Sequence, residues 1–479
     1  MDEERPQTSS QEMGSDGSDL DEPLLRTSSA EAPSPPHFTM PVLENGGGTS
    51  IPGSIGLLAK AIIGAGSAAL PLAFARLGII FSASFLLLIG FMTHYSLEAL
   101  TLGIVTSDKP SYPAVVHSLL GHSAGAFLEL CLVLRCAGLM IVYIVISADL
   151  LAGSKALPGI LCELFSSSSS GTSTDSVWCS DRYLVSGILA VFVLVPLVTP
   201  KRLSSATWAS IAGLVSVVLW TIVTAVIAIT AAAKGFSFSP SWLPDSGALG
   251  GGSITSQTIV ALATLPVIAT AYTCQMTVAF IIGELRNFSS NRMATVSAAA
   301  VSLCSAVFLI IGLGSVTAFG GEHIPADILE LFSISGLEAI VGFTAGKILG
   351  ISVRLGFMVS ILANMPLQML PFRQSLARLV LGGDQELAGI GYYVVTYGSL
   401  VAFYFIAMAA TSIWLPIQLV GATAGAAIAF FYPAMVALAV VTPGNNNFLY
   451  WRLNAWGLIA IGAVQVVTGI SAVLLEGKR

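Results

Sequence analysis

From residue 54 nearly to the end of the chain, long apolar runs alternate with short polar connectors. An α-helix rises about 1.5 Å per residue, so about 20 apolar residues cross the hydrocarbon of a bilayer. Eleven blocks reach or approach that length, at about 54–74, 79–104, 124–153, 184–199, 208–233, 257–282, 294–319, 348–370, 390–413, 415–440 and 453–475. The fourth is short and ends among Pro196 and Pro200. The pattern predicts an all-α polytopic membrane protein of about 11 transmembrane helices. A transmembrane domain over 50–479 follows a polar segment over 1–49.

Two blocks carry their own interruptions. The first reads SIGLLAKAIIGAGSAALPLAF, with Gly64-Ala65-Gly66-Ser67 in its middle and Pro71 after it. Pro71 suits the first turns of a restarting helix. The sixth block reads QTIVALATLPVIATAYTCQMTVAFII, with Pro266 inside and Thr270, Tyr272, Thr273, Cys274 and Gln275 behind it. A broken span leaves unpaired N–H and C=O groups that hydrocarbon cannot satisfy, so each break must face a cavity or a ligand. Glycine and proline are also frequent in membrane helices for packing alone. Breaks in spans 1 and 6 together point to an inverted repeat of five plus five helices with one extra C-terminal helix. Repeat one then covers about 54–233, repeat two about 257–440, and the extra helix about 453–475. Free amides at a restarting helix suit a carboxylate, and free carbonyls opposite suit an ammonium. Amino acids are therefore the natural substrate class. Gly64, Ala65, Gly66, Ser67, Pro266, Ala269, Thr270, Tyr272 and, from the third span, Tyr143 are the candidate substrate-binding residues.

Composition agrees with the bilayer as solvent. The 479 residues are 55% hydrophobic and 10% charged, against roughly 25% charged in an ordinary soluble domain. The net charge of −6 comes from residues 1–49, where ten acids face Arg5 and Arg26. That segment reads as a disordered acidic tail, and the near-neutral remainder gives no sign of nucleic-acid binding. No charged n-region and apolar h-region open the chain, so no cleaved signal peptide is expected. Within the tail, Asp21-Glu22-Pro23-Leu24-Leu25 is similar to an acidic dileucine sorting signal, with Leu20 where an acid is usual. Leu24 and Leu25 are thus a candidate site for a sorting adaptor, or a chance pair. A cytosolic tail places Lys109, Lys201, Arg202, Arg286, Arg292, Arg373, Arg378 and Arg452 on the cytosolic side, a weak bias. The opposite loops hold Glu163, Asp175, Asp181, Asp245, Glu322, Asp327, Glu330 and Glu338.

The six cysteines form no CxxC pair and the five histidines no ligand spacing, so no metal site, no hydrolytic centre and no cofactor are expected. Cys162 and Cys179 flank a polar loop and are a candidate disulfide if the loop faces an oxidising space. Of the charges inside or near spans, Arg135 is expected to pair with Glu129 or to face a cavity. Glu98, Asp149, Glu284 and Arg354 are expected to snorkel from span ends.

GAGSAALPLAFARLG, residues 64–78, resembles the first-helix motif of the amino acid/auxin permease superfamily, close to GxGxLxLPxAFxxxG. The resemblance continues at Leu265-Pro266, Tyr272-Thr273-Cys274, Gly283-Glu284-Leu285, Thr317-Ala318-Phe319-Gly320 and the P-x-x-x-x-P-x-R stretch from Pro366 to Arg373. It covers about 50–475. Ser67-Ala68, Thr270 and Gln275 depart from the family pattern. The resemblance implies eleven spans and amino-acid transport, of neutral amino acids foremost, driven by a proton or sodium gradient. Relatives in the sodium-coupled branch carry asparagine at the position of Lys60, whereas proton-coupled and vacuolar relatives tend to carry lysine.

An ammonium there repels sodium and can replace it electrostatically. Lys60, with Ser360 and Asn364 of span eight as expected neighbours, is the candidate ion-coupling group, either as a proton carrier or as a fixed charge pinning the two spans. Proton-coupled transport in a vacuolar, lysosomal or endosomal membrane is the leading expectation. A sodium-coupled symporter and an amino-acid sensor signalling through its tail remain the alternatives, and an enzyme is not expected.

Overall fold

The computed structural model describes residues 48–64, 66–154, 158–165, 177–201, 207–235, 241–244, 247, 249, 254–320, 324, 328–332, 334–382, 387, 389–410, 420–444 and 447–476. The expected acidic tail, Leu24 and Leu25 lie outside them, as does Ala65. The main helices are α1 (Ile51–Ile62), α2 (Gly66–Ser107), α3 (His122–Ala152) and α4 (Arg182–Val198). They continue as α5 (Thr207–Ala233), α6 (Ile254–Ala271), α7 (Val278–Glu284) and α8 (Ser290–Phe319). The last are α9 (Phe343–Ala363), α10 (Met365–Leu381), α11 (Gly389–Ala409), α12 (Gly421–Val440) and α13 (Phe448–Glu476). Two isolated bridges, Thr49 with Leu285 and Gly153 with Pro158, are the only β-type pairings among the described residues. Nine helical stretches among those residues are long and apolar enough to cross a membrane, counting α6–α7 and α9–α10 as one each. α1 and α4 are shorter apolar helices. Large apolar side chains such as Ile229, Phe405 and Val467 stand exposed on the outside, the reverse of a soluble surface and suited to lipid. The protein is a multi-pass membrane protein.

The blocks expected at 54–74 and 79–104 meet without a loop. Helix α2 carries the chain through the expected connector, and Gly78 alone makes the bend, with φ 72° and ψ 167°. That region is essentially closed to other residues. A Cβ on Gly78 would also stand 2.6 Å from the backbone carbon of Leu243. The helical segment after the bend has its first amides capped from outside, Ile79 N–H donating to Ser241 O and Ile80 N–H to Trp242 O, both at 3.1 Å. Gly78→Ala is expected to destabilise the fold by about 1–3 kcal/mol from backbone strain alone. The check is the thermal transition of the purified variant in detergent, which should fall by several degrees.

The two interrupted spans run antiparallel. Thr49, just before α1, donates to Glu284 O at the end of α7 at 2.6 Å and accepts from Arg286 N–H at 3.0 Å. Farther along, a Cβ on Gly66 would meet Ala271 Cα at 3.0 Å. Farther still, Gly78 lies against Leu243. One strand of chain ascends through 49, 66 and 78 while its neighbour descends through 285, 271 and 243.

Arg354 and Asp149 are paired rather than snorkelling. Arg354 is fully buried, forms an ion pair with Glu163 and donates to Pro158 O at 3.0 Å. Burial corrects the expectation for Arg354: α9 is long enough that residue 354 lies within the packed interior and not at a span end. Asp149 pairs with Arg182 at 3.1 Å. A disulfide joins Cys162 to Cys179, with the Cα atoms 5.5 Å apart.

Candidate functional site

Helix α1 stops at Ile62 because Ile63 adopts extended backbone, φ −80° and ψ 100°. Ser67 then closes the turn at the restart: its N–H donates to Gly64 O at 3.2 Å and its hydroxyl to the same oxygen at 2.7 Å. One side chain of the same span and one from the junction of α9 and α10 take up the carbonyl exposed by the break. Ile63 O accepts from Lys60 Nζ and from Asn364 Nδ2, each at 3.0 Å. Lys60 is fully buried and donates a second hydrogen bond to Ser360 Oγ at 3.1 Å. No carboxylate pairs with Lys60 among the described residues. Its aliphatic stem fills the space left by Gly213 of α5, where a Cβ would stand 2.5 Å from Lys60 Cε. Lys60, Ser360 and Asn364 thus gather around one unwound carbonyl.

The second break lies at 272–274, between α6 and the 3₁₀ turn Gln275–Thr277. This corrects the expectation that Pro266 makes it. Pro266 sits within continuous α6 and faces Gly469 of α13. Membrane helices tolerate an interior proline when neighbours supply the missing bonds. What unwinds the span is a run of side chains that compete for the backbone. Gln275 Oε1 accepts from Cys274 N–H at 3.0 Å, while Gln275 Nε2 donates to Ser96 Oγ at 2.8 Å. Thr277 Oγ1 donates to Cys274 O at 2.7 Å. Carbonyls 271–273 therefore have no α-helical turn continuing above them.

Between the breaks lies a cavity of about 20 Å³ lined by Ala61, Ile62, Gly64, Gly66, Arg135, Leu139, Tyr143, Thr270, Ala271, Thr273 and Gln368. That is room for about one water molecule and too little for an amino acid. Of the sequence-predicted residues, Gly64, Gly66, Tyr143 and Thr270 line it. Three others face elsewhere, for identifiable reasons. Ser67 is spent on Gly64 O. The Tyr272 hydroxyl bonds Ser305 Oγ at 2.6 Å and its ring packs edge-on against Phe308. Ala269 lines a separate apolar crevice of about 170 Å³ with Phe85, Leu265 and Val464.

Sequence reasoning missed Gln368 and Thr273, and it undervalued Arg135. Glu129, the expected partner of Arg135, is engaged by Arg378 at 3.9 Å instead. The signal was available: Arg135, Leu139 and Tyr143 fall at i, i+4 and i+8, one stripe of α3. Gln368 follows Asn364 by four residues, again one face. Gln368 Oε1 and Asn364 Oδ1 are buried acceptors with no hydrogen-bond partner among the described residues.

Comparison with known proteins gives the family. The family described as transmembrane amino acid transporter protein matches residues 47–475. Amino acid transporter AVT6E of Arabidopsis thaliana is 25% identical over 88% of this chain and 82% of its own length. Amino acid transporter AVT6B of the same plant is 27% identical over 84% of this chain and 83% of its own. Vacuolar amino acid transporter 5 of Schizosaccharomyces pombe is 25% identical over 86% of this chain and 91% of its own. These relatives are named as transporters and not as enzymes. Because the family match takes in both broken spans and the cavity between them, the chain belongs to the transmembrane amino acid transporter family.

Proposed function

We propose that the protein is a proton-coupled amino-acid transporter that works by alternating access about the cavity between the two breaks. The observation that carries this reading is the buried Lys60 ammonium, held by Ile63 O and Ser360 Oγ with no carboxylate partner among the described residues. A cation already occupies the oxygen cage that a sodium ion would need. Keeping that charge buried without a counter-ion is costly, and the cost is relieved whenever the amine is neutral. Lys60 would thus load a proton on one side and release it on the other, with Asn364 holding the unwound carbonyl throughout.

The antiparallel course of spans 1 and 6 supports an inverted repeat of five plus five helices with eleven spans in all. The small lining at Ala61, Thr270 and Ala271 supports a zwitterion with a neutral side chain. Its carboxylate would lie toward the N-terminus of α2 and its ammonium toward carbonyls 271–273. The relative named as a vacuolar transporter supports a vacuolar membrane. The Cys162–Cys179 disulfide falls in the connector after the third span, which a cytosolic N-terminus would place in a lumen able to oxidise it. An acidic lumen would then drive amino acids toward the cytosol.

The test uses the purified protein in proteoliposomes with labelled amino acids. Uptake should rise with an imposed inward proton gradient and stay unchanged when choline replaces sodium. A strict sodium requirement would refute the reading.

A further inference from the structure

Arg135 lies near the middle of α3 and is 3% exposed. It lines the cavity between the breaks. Its Nε is buried with no hydrogen-bond partner, and no ion pair holds the guanidinium among the described residues. A guanidinium at that depth is expensive, and such residues face the bundle interior and pair. Every other arginine buried within the bundle shows what pairing looks like. Arg354 has Glu163 and two carbonyls. Arg373 donates to Val198 O, Pro200 O, Tyr392 Oη and Thr396 Oγ1. Arg135 alone is left with its fork unfilled beside a cavity, on the same stripe as Tyr143.

From this we infer that Arg135 is a substrate-binding residue whose missing partner is a carboxylate of the transported molecule. The planar fork matches a carboxylate in two-point geometry. Gln368 Oε1, an unpartnered buried acceptor on the same cavity, supplies the complementary group for an ammonium. The inference rests on the proposed transport reading and deepens it. The carboxylate could be the one common to all amino acids or one on the side chain, and the experiment separates the two.

The full-length protein, Arg135→Met and Arg135→Lys are purified, and the thermal shift produced by alanine, glutamine, glutamate and 4-aminobutyrate is measured, with uptake in parallel. Without ligand, Arg135→Met should be at least as stable as the wild type, because no intramolecular bond is lost and an unpaired buried charge is removed. A clear fall in unliganded stability marks a structural arginine and overturns the inference. With ligand, Arg135→Met should lose at least about tenfold in apparent affinity, the loss expected when a charged hydrogen bond is removed. Loss for alanine, glutamine and glutamate alike assigns the α-carboxylate. Loss confined to glutamate and 4-aminobutyrate assigns a side-chain carboxylate. Arg135→Lys keeps the charge without the fork and should fall between. If the variant responds to every ligand as the wild type does, this inference fails alone. If the wild type responds to no amino acid, the transport reading fails with it.

Discussion

Lys60→Met should abolish proton-driven uptake while leaving substrate binding measurable. Methionine preserves the length and apolar stem that fill the space beside Gly213, so packing is kept. What disappears is the donor to Ile63 O and Ser360 Oγ. A hydrogen bond involving a charged group contributes about 1.5–3 kcal/mol, so losing even one predicts at least about a tenfold fall in coupled flux. Asn364 Nδ2 still covers Ile63 O, which keeps the break from collapsing. Lys60 is also not among the residues lining the cavity, whereas its neighbours Ala61 and Ile62 are. Binding and coupling should therefore separate: an amino acid still raises the thermal transition of Lys60→Met, yet the proton gradient no longer stimulates uptake. Ser360→Ala removes one acceptor only and should show a smaller loss in the same direction. Proton-stimulated uptake by Lys60→Met at the wild-type rate would remove Lys60 from the coupling mechanism.

The features legible in the sequence were those that depend on local chemistry. Hydrophobic length gave the membrane helices, and Gly64 to Ser67 gave the first break, because glycine and a small polar residue act on their own backbone. The second break was displaced to 272–274 because proline is a stronger signal on paper than in a packed membrane helix. Pro266 is accommodated by its neighbours, whereas Gln275 unwinds the span through a bond to Cys274 N–H and another to Ser96, a residue 179 positions away. That pairing has no local signature. The same holds for the site. Lys60, Ser360 and Asn364 meet as their positions on spans one and eight implied. Arg135 could not be assigned, because its role depends on Glu129 being taken by Arg378 from another helix. The bend at Gly78 was hidden for a related reason: its amide caps come from Ser241 and Trp242, far along the chain.

The site depends most on how closely the two broken spans approach, and Gly66 is where they meet beside the cavity. A Cβ there would stand 3.0 Å from Ala271 Cα and 3.2 Å from Ala271 Cβ. The nearer atom is backbone, so no side chain can swing aside to relieve the contact. Gly66→Ala must push α6 away by a few tenths of an ångström, and Gly66→Val by more, since its two methyl groups enter the same gap. Misplacing a binding group by about 1 Å costs on the order of 10²-fold in rate, and the cavity is only about 20 Å³ to begin with. Uptake should accordingly fall by about tenfold in Gly66→Ala and on the order of a hundredfold in Gly66→Val. The yield of folded protein should change less, because the rest of the bundle packs without this contact. Adding Ala271→Gly to Gly66→Ala removes the opposing methyl but leaves the Cα in place, so rescue should be partial. Gly66→Val transporting at the wild-type rate would mean that the two breaks do not form one site, and Arg135, Tyr143 and Gln368 would then face a gap with no role in transport.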